Sequence, residues 1–269
     1  MHKKLRSLLT ASAVAIAASL ALPAHAALTT FFAFGPAADK VVGGPPAAER
    51  TRFEAELDMS TVSREDFSRF TAGPLVDDEG QPVPLRGLFT GNNATGGTLT
   101  PEGEAFVEAT NGNFGRFNTT CAVDTACDGQ WFETSADFTL QFGRGVAAFG
   151  FYGTDAGDFD GSLEIELLGR DGSAIAGGLL EVIVGGAADS DLFFFGVQST
   201  TDLIFGAKFV VAQSGEVGND FFGFDDLVIG NLRSIEPPPN GTPEPATLAL
   251  VGASLLGLAA SRRRRARSA

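Results

Sequence analysis

The chain has 269 residues, 33 acidic against 19 basic, for a formal net charge of −14; 24 phenylalanines stand beside one tryptophan and one tyrosine. Both histidines, His2 and His25, fall within the first 26 residues. The chain beyond residue 26 therefore excludes Ser-His or Cys-His nucleophilic catalysis and histidine-bearing zinc, copper or non-haem iron centres.

Residues 1–26 read as a secretory signal peptide. Lys3, Lys4 and Arg6 make a positive start, Leu8 to Leu22 an apolar run, and Ala24-His25-Ala26 after Pro23 the small-residue site that signal peptidase cuts. A retained anchor would share the apolar run but would not need that site. Residues 27–245 keep eleven basic residues against all 33 acids, a net of −22. Such a surface repels phosphates and anionic headgroups, so nucleic acid is not an expected partner.

Residues 27–103 read as a β and loop extension. Within it, 36–50 is rich in Gly, Pro and Ala and reads as loop. The stretch "TRFEAEL" (51–57) alternates and predicts a strand with Phe53, Ala55 and Leu57 on one face. "STVSREDFSRF" (60–70) predicts a short helix capped by Ser60, with Phe67 and Phe70 on its buried side. "GPLVDDEGQPVPLRG" (73–87) predicts a loop.

The β signal strengthens over 104–230. Predicted strands cover 104–110, 131–142, 145–153, 161–169, 178–185, 191–199, 203–213 and 220–230, with a turn at Gly143-Arg144 and another at 170–173. Short strands at this spacing, with no amphipathic helix between them, predict an all-β, antiparallel, jelly-roll-like sandwich with its core in 104–230. Cys121 and Cys127 have five residues between them in an exported chain. One structural disulfide is the simplest state, and two free thiols are the alternative. Residues 231–242 form a Pro/Gly/Asn linker.

The chain then reads "TPEPATLALVGASLLGLAASRRRRARSA". Residues 246–260 make ~22 Å of apolar helix at ~1.5 Å per residue, short for a bilayer core of ~30 Å unless arginines snorkel and the bilayer thins. The arginines set its carboxyl end on the cytoplasmic side, leaving the body outside. This tail resembles the sorting signal of PEP-CTERM proteins of Gram-negative bacteria. The matching positions are Pro243, Glu244 and Pro245, the transmembrane helix 246–260, and Arg262, Arg263, Arg264 and Arg265. The resemblance implies transient residence in the inner membrane, recognition and cleavage by an exosortase, and export to the cell envelope, surface or extracellular biofilm matrix beside exopolysaccharide. Less specifically, "FGRFNTT" (114–120), 146–161 and 221–230 resemble β-sandwich domains of such proteins, which brings no activity with it.

Three chemistries are open to the body. Asp155, Asp158 and Asp160 in "GTDAGDFDG", with Asp225 before the last strand, could hold calcium, the one cofactor the sequence suggests; the alternative is ordinary Asp-Gly turn chemistry. Trp131 and Tyr152 could form a glycan platform, against the alternative that they belong to the core. Paired carboxylates could serve a secreted glycan-active enzyme, although pairs arise by chance among 33 acids. Asn93 and Asn118 stand in N-x-Thr triplets and read as turn residues. The reading favoured here is a non-catalytic exported protein.

Overall fold

The computed structural model describes residues 28–36, 42–90, 96–109, 116, 118–119, 129–155, 162–182, 191–212 and 221–233. The signal peptide, Cys121, Cys127, Asp158, Asp160, the linker beyond 233 and the whole sorting tail lie outside them. Among the described residues, no helix is long and apolar enough to cross a membrane. A compact unit extends to Arg233, and residues from Ser234 onward form a second.

Two antiparallel sheets make an all-β sandwich. The first contains β1 (Leu28–Pro36), β12 (Asp191–Ser199), β9 (Ala148–Thr154), β14 (Phe222–Gly230), β7 (Trp131–Thr134), β6 (Ala105–Glu108) and β3 (Gly73–Pro74), in that order, with β2 (Ser63–Glu65) also on β14. The second runs β11 (Ala174–Val182), β10 (Ser162–Leu168), β13 (Ile204–Ala212), β8 (Phe138–Val146), β5 (Gly97–Pro101) and β4 (Leu85–Arg86). Inward residues of both sheets interdigitate as an aromatic core. Phe138 stacks on Phe209 at 4.2 Å and meets Phe224 of the facing sheet edge-on at 4.9 Å. Offset and edge-to-face rings of this kind add attraction beyond their buried area.

Strand β14 has different neighbours along its length. β9 pairs with it on one side throughout; on the other, β7 pairs with Phe222 to Phe224 and β2 with Leu227 to Ile229. The exchange happens at a bulge between Asp225 and Val228, where Asp226 adopts φ 49°. Bulges of this kind bend a strand and re-aim its side chains.

Several expectations fail locally: residues 44–50 of the predicted loop are helical, and the predicted strand 131–142 is two strands on opposite sheets. Residues 51–57 are not a strand. Most of them belong to α1 (Gly44–Ala55), which begins with Pro45 and Pro46 in its first turn and carries an Arg50–Glu54 pair at i,i+4 spacing. The alternation of Phe53 and Leu57 is also a four-residue spacing, so both fall on one side of the chain and are fully buried. Residues 60–70 are not a helix. Asp58 caps the turn at Ser60, β2 joins β14, and Glu65 takes the backbone N–H groups of Phe67 and Phe89. Glycine and arginine at 143–144 make no hairpin. β8 continues to Val146 and the chain crosses to the other sheet at Ala147, whose backbone is held by Gly230 and Ser199.

Helix α1 packs on the outer face of the first sheet as a second apolar cluster. Phe53 meets Phe31 at 5.4 Å and Phe194 at 5.5 Å. It sits over Gly196 and Gly150, where added Cβ atoms would stand 2.7 and 3.2 Å from its ring. Replacing Phe53 with Ala is expected to cost about 3–5 kcal/mol, the usual range for an enclosed aromatic. Urea unfolding would read this as a lower midpoint at unchanged slope.

Candidate functional site

The outer face of the first sheet, beyond the edge of α1, is polar rather than apolar. Strand alternation places two rows there. In one, Phe106 faces Glu133, Glu133 faces Gly223, and Gly223 faces Thr154. In the other, Glu108 faces Trp131 and Asp225 faces Tyr152. Gly223 is demanded by this crowding: a Cβ would lie 2.5 Å from Thr154 Oγ1 and 3.2 Å from Trp131 Cδ1.

Arg116 and the pair Asn118-Thr119 cross this face and are buried on it. Arg116 Nε donates to Glu133 Oε2 at 2.9 Å, and its Nη1 donates to Asp155 Oδ2 and to the Phe221 carbonyl, each at 3.1 Å. Asn118 donates to the carbonyl of Gln130. Thr119 docks on the bulge: its backbone N–H donates to Asp225 Oδ2 at 2.6 Å, and its hydroxyl lies 2.9 Å from Asp225 Oδ2 and 3.0 Å from Asp226 Oδ2. A hydroxyl has one proton and cannot donate to both. Asp225, whose other oxygen accepts the Asp226 backbone N–H at 2.7 Å, is the enclosed member of the pair. Burial, then repulsion from Asp226, push its pKa well above the usual carboxylate value. Asp226 remains with Arg50, at 3.2 Å.

Beside this cluster lies a cavity of about 330 Å³. Its walls include Phe106 and Phe221, two half-buried rings 5.8 Å apart. Glu104, Glu108 and Glu133 supply carboxylates, and Trp131 and Arg116 complete the lining. Burial raises the pKa of Glu133 against the opposing effect of Arg116, and Glu108 raises it further. The Trp131 indole N–H leans towards Glu133 without closing a hydrogen bond, and it and the Thr154 hydroxyl have no partner among the described residues.

The predicted site residues are redistributed. Trp131 and Tyr152 share the outer face but offer no stacking platform. They are 1% and 3% exposed; Arg50 covers the Tyr152 ring at 4.9 Å and Phe194 meets its edge. The half-buried rings are Phe106 and Phe221, which aromatic type alone does not distinguish from core phenylalanines. Asp155 and Asp225 are both on this face, yet Asp155 is committed to Arg116 and Asp225 to Thr119. Among the described residues no three carboxylates converge as a metal site, and Asp158 and Asp160 lie outside those residues. Sequence reasoning misses Arg116, Thr119, Glu133 and Gly223, because no motif marks them. The single local signal for them is the pairing of "FGRFNTT" with an acidic "DD" in so acidic a chain.

Residues 242–265 match the PEP-CTERM protein-sorting motif. The chain carries that sorting motif at its carboxyl end. The motif spans Pro243-Glu244-Pro245 and the arginines to Arg265, and it indicates an exported, cell-envelope-sorted chain processed by an exosortase. No curated protein matches the chain in sequence. Among solved structures, the CBM51-2 and INT domains of Clostridium perfringens ZmpB align at 11% identity, covering 64% of this chain and 32% of that one, with a TM-score of 0.27. The chain thus spans about a third of that structure, and a superposition at that score carries no argument.

The cluster makes two measurable contributions. Arg116→Met leaves Glu133 and Asp155 buried without their cation and is expected to cost about 3–5 kcal/mol in chemical unfolding. Asp225 binds its proton more tightly folded than unfolded. Its contribution is therefore full below the ordinary carboxylate pKa of about 4 and is lost as pH rises through the raised folded value. Thermal melts across that range should show Asp225→Asn less pH-dependent than the parent, with the gap between them narrowing as pH rises.

Proposed function

We propose that the body is a non-catalytic component of the cell surface or extracellular matrix, and that it holds exopolysaccharide in the cavity over β6, β7 and the start of β14. The observation that carries this reading is the cavity itself. It pairs accessible apolar ring surface with carboxylates that accept hydroxyl hydrogen bonds, the combination that orients a sugar. Its placement on a chain bearing an exosortase sorting motif supplies the neighbourhood. A non-catalytic role is supported by the lack of histidine after residue 25 and by the tie of Glu133 and Asp155 to Arg116. Calcium would enter only through carboxylates outside the described residues.

The fold reading is also made finer here. From β7 to β14 the chain visits the first and second sheets in the order first, second, first, second, second, first, second, first. Within the sheets these strands lie in the orders β12-β9-β14-β7 and β11-β10-β13-β8. That alternation supports a jelly roll, two interlocked Greek keys, with β1 and β5 added beside them.

Mass spectrometry of protein recovered from its producer tests the sorting half of the reading. The expected species lacks residues 1–26 and ends near Pro245. An intact carboxyl terminus on extracellular material would overturn the processing step. Incubation with the producer's exopolysaccharide should give co-sedimentation and no new reducing ends; new reducing ends would make the protein an enzyme.

A further inference from the structure

We propose that the cavity selects a cationic amino sugar, with the ammonium group at Glu108 beside Glu133, the sugar's C–H face on Phe106 and Phe221, and a ring or hydroxyl oxygen accepting from Trp131 Nε1. The inference rests on the glycan reading above and makes its ligand specific.

Charge is the first reason. Among the described residues that line the cavity, three are glutamates and Arg116 is the one cation. Arg116 is already spent inward: Nε on Glu133, Nη1 on Asp155 and on the Phe221 carbonyl. Glu104 is exposed and Glu108 half-buried at the rim, and repulsion from Glu108 is felt as far as Glu133. A cation placed between these carboxylates relieves that repulsion, whereas an acidic sugar would add to it. The surrounding body, at a net of −22, biases encounter the same way.

Shape and the orphan donor narrow the cation's class. A bare metal ion would want several converging oxygens, which the described carboxylates do not provide. It would also leave the two phenylalanine rings without a role. A simple polyamine would satisfy the glutamates and the rings but offers no acceptor to the indole N–H. That N–H belongs to a side chain only 1% exposed and has no partner among the described residues; leaving it so is costly, and a ligand oxygen removes the cost. An amino sugar carries all three features on one ring. At about 330 Å³ the cavity is at the small end of ligand sites, suited to one or two such units.

Calorimetry on the full-length protein in mild detergent tests this with four probes: the β-1,4 dimer of glucosamine, its N,N′-diacetyl form, cellobiose and spermidine. The amino dimer is expected to bind at least about tenfold more tightly than each of the other three, a difference of ~1.4 kcal/mol or more. Glu108→Gln, at unchanged melting temperature, and Trp131→Phe should each weaken the amino dimer by about the same factor. Non-specific attraction to an acidic body would survive Glu108→Gln, which removes one charge of many, so an unchanged affinity in that variant overturns the site. Should Trp131→Phe fail to fold, the rim variant decides alone. Equal binding of the acetylated or neutral dimer would overturn the amine and leave the glycan reading standing. Equal binding of spermidine would overturn the sugar. If no dimer binds, the glycan reading falls with it.

Discussion

Strand β14 has to satisfy three neighbours with one ladder. β9 runs along one side of it, while β7 and then β2 share the other. The change from β7 to β2 coincides with a break in register against β9, the bulge at Asp225-Asp226. Asp226 adopts positive φ, a conformation Asp takes more readily than most residues, and its carboxylate reaches Arg50 and Thr119. From this one irregularity come the burial of Asp225, the docking of Thr119, and the position of Phe221 and Gly223 at the strand's start beneath Arg116.

Charge organises what lies above the bulge. An acidic chain places two of its few arginines, Arg50 and Arg116, against the outer face of the first sheet, one from α1 and one from the crossing segment. Neither pair of contacts is evidence of large net stabilisation, because desolvation offsets most of the attraction between buried charges. Their effect is selective. The observed placement of α1 brings Arg50 to Asp226, and the observed position of Arg116 lets it reach Glu133, Asp155 and the Phe221 carbonyl. A misplacement leaves carboxylates buried and unpaired.

The same face divides into a dry half and a wet half. Under α1, phenylalanines and small residues close the sheet: Phe53 fills the space left by Gly150 and Gly196. Past the helix, Gly223 again makes room, but the atoms around it are the Trp131 indole and the Thr154 hydroxyl. Glycine on a central strand thus serves packing in one place and a polar niche in the other. The cavity borders the second, where half-buried rings and carboxylates meet.

Composition and alternation were enough to establish an acidic, antiparallel β body, the turn at 170–173, strands close to β10, β12, β13 and β14, and a terminal sorting motif, because each is written in local spacing or in contiguous residues. Alternation failed where its period was ambiguous: Phe53 and Leu57 suit a strand or a helix, and the two prolines at the start of α1 decide in favour of the helix. Tertiary structure alone decided that Phe132 and Phe138 point into the core from opposite sheets, that Trp131 and Tyr152 are enclosed, and that Arg116 meets Glu133 and Asp155, 17 and 39 residues away. The physical reason is that a strand's sequence specifies which side chains share a face, whereas which strand lies beside it, and what crosses above, depends on pairings between distant residues that no local pattern encodes.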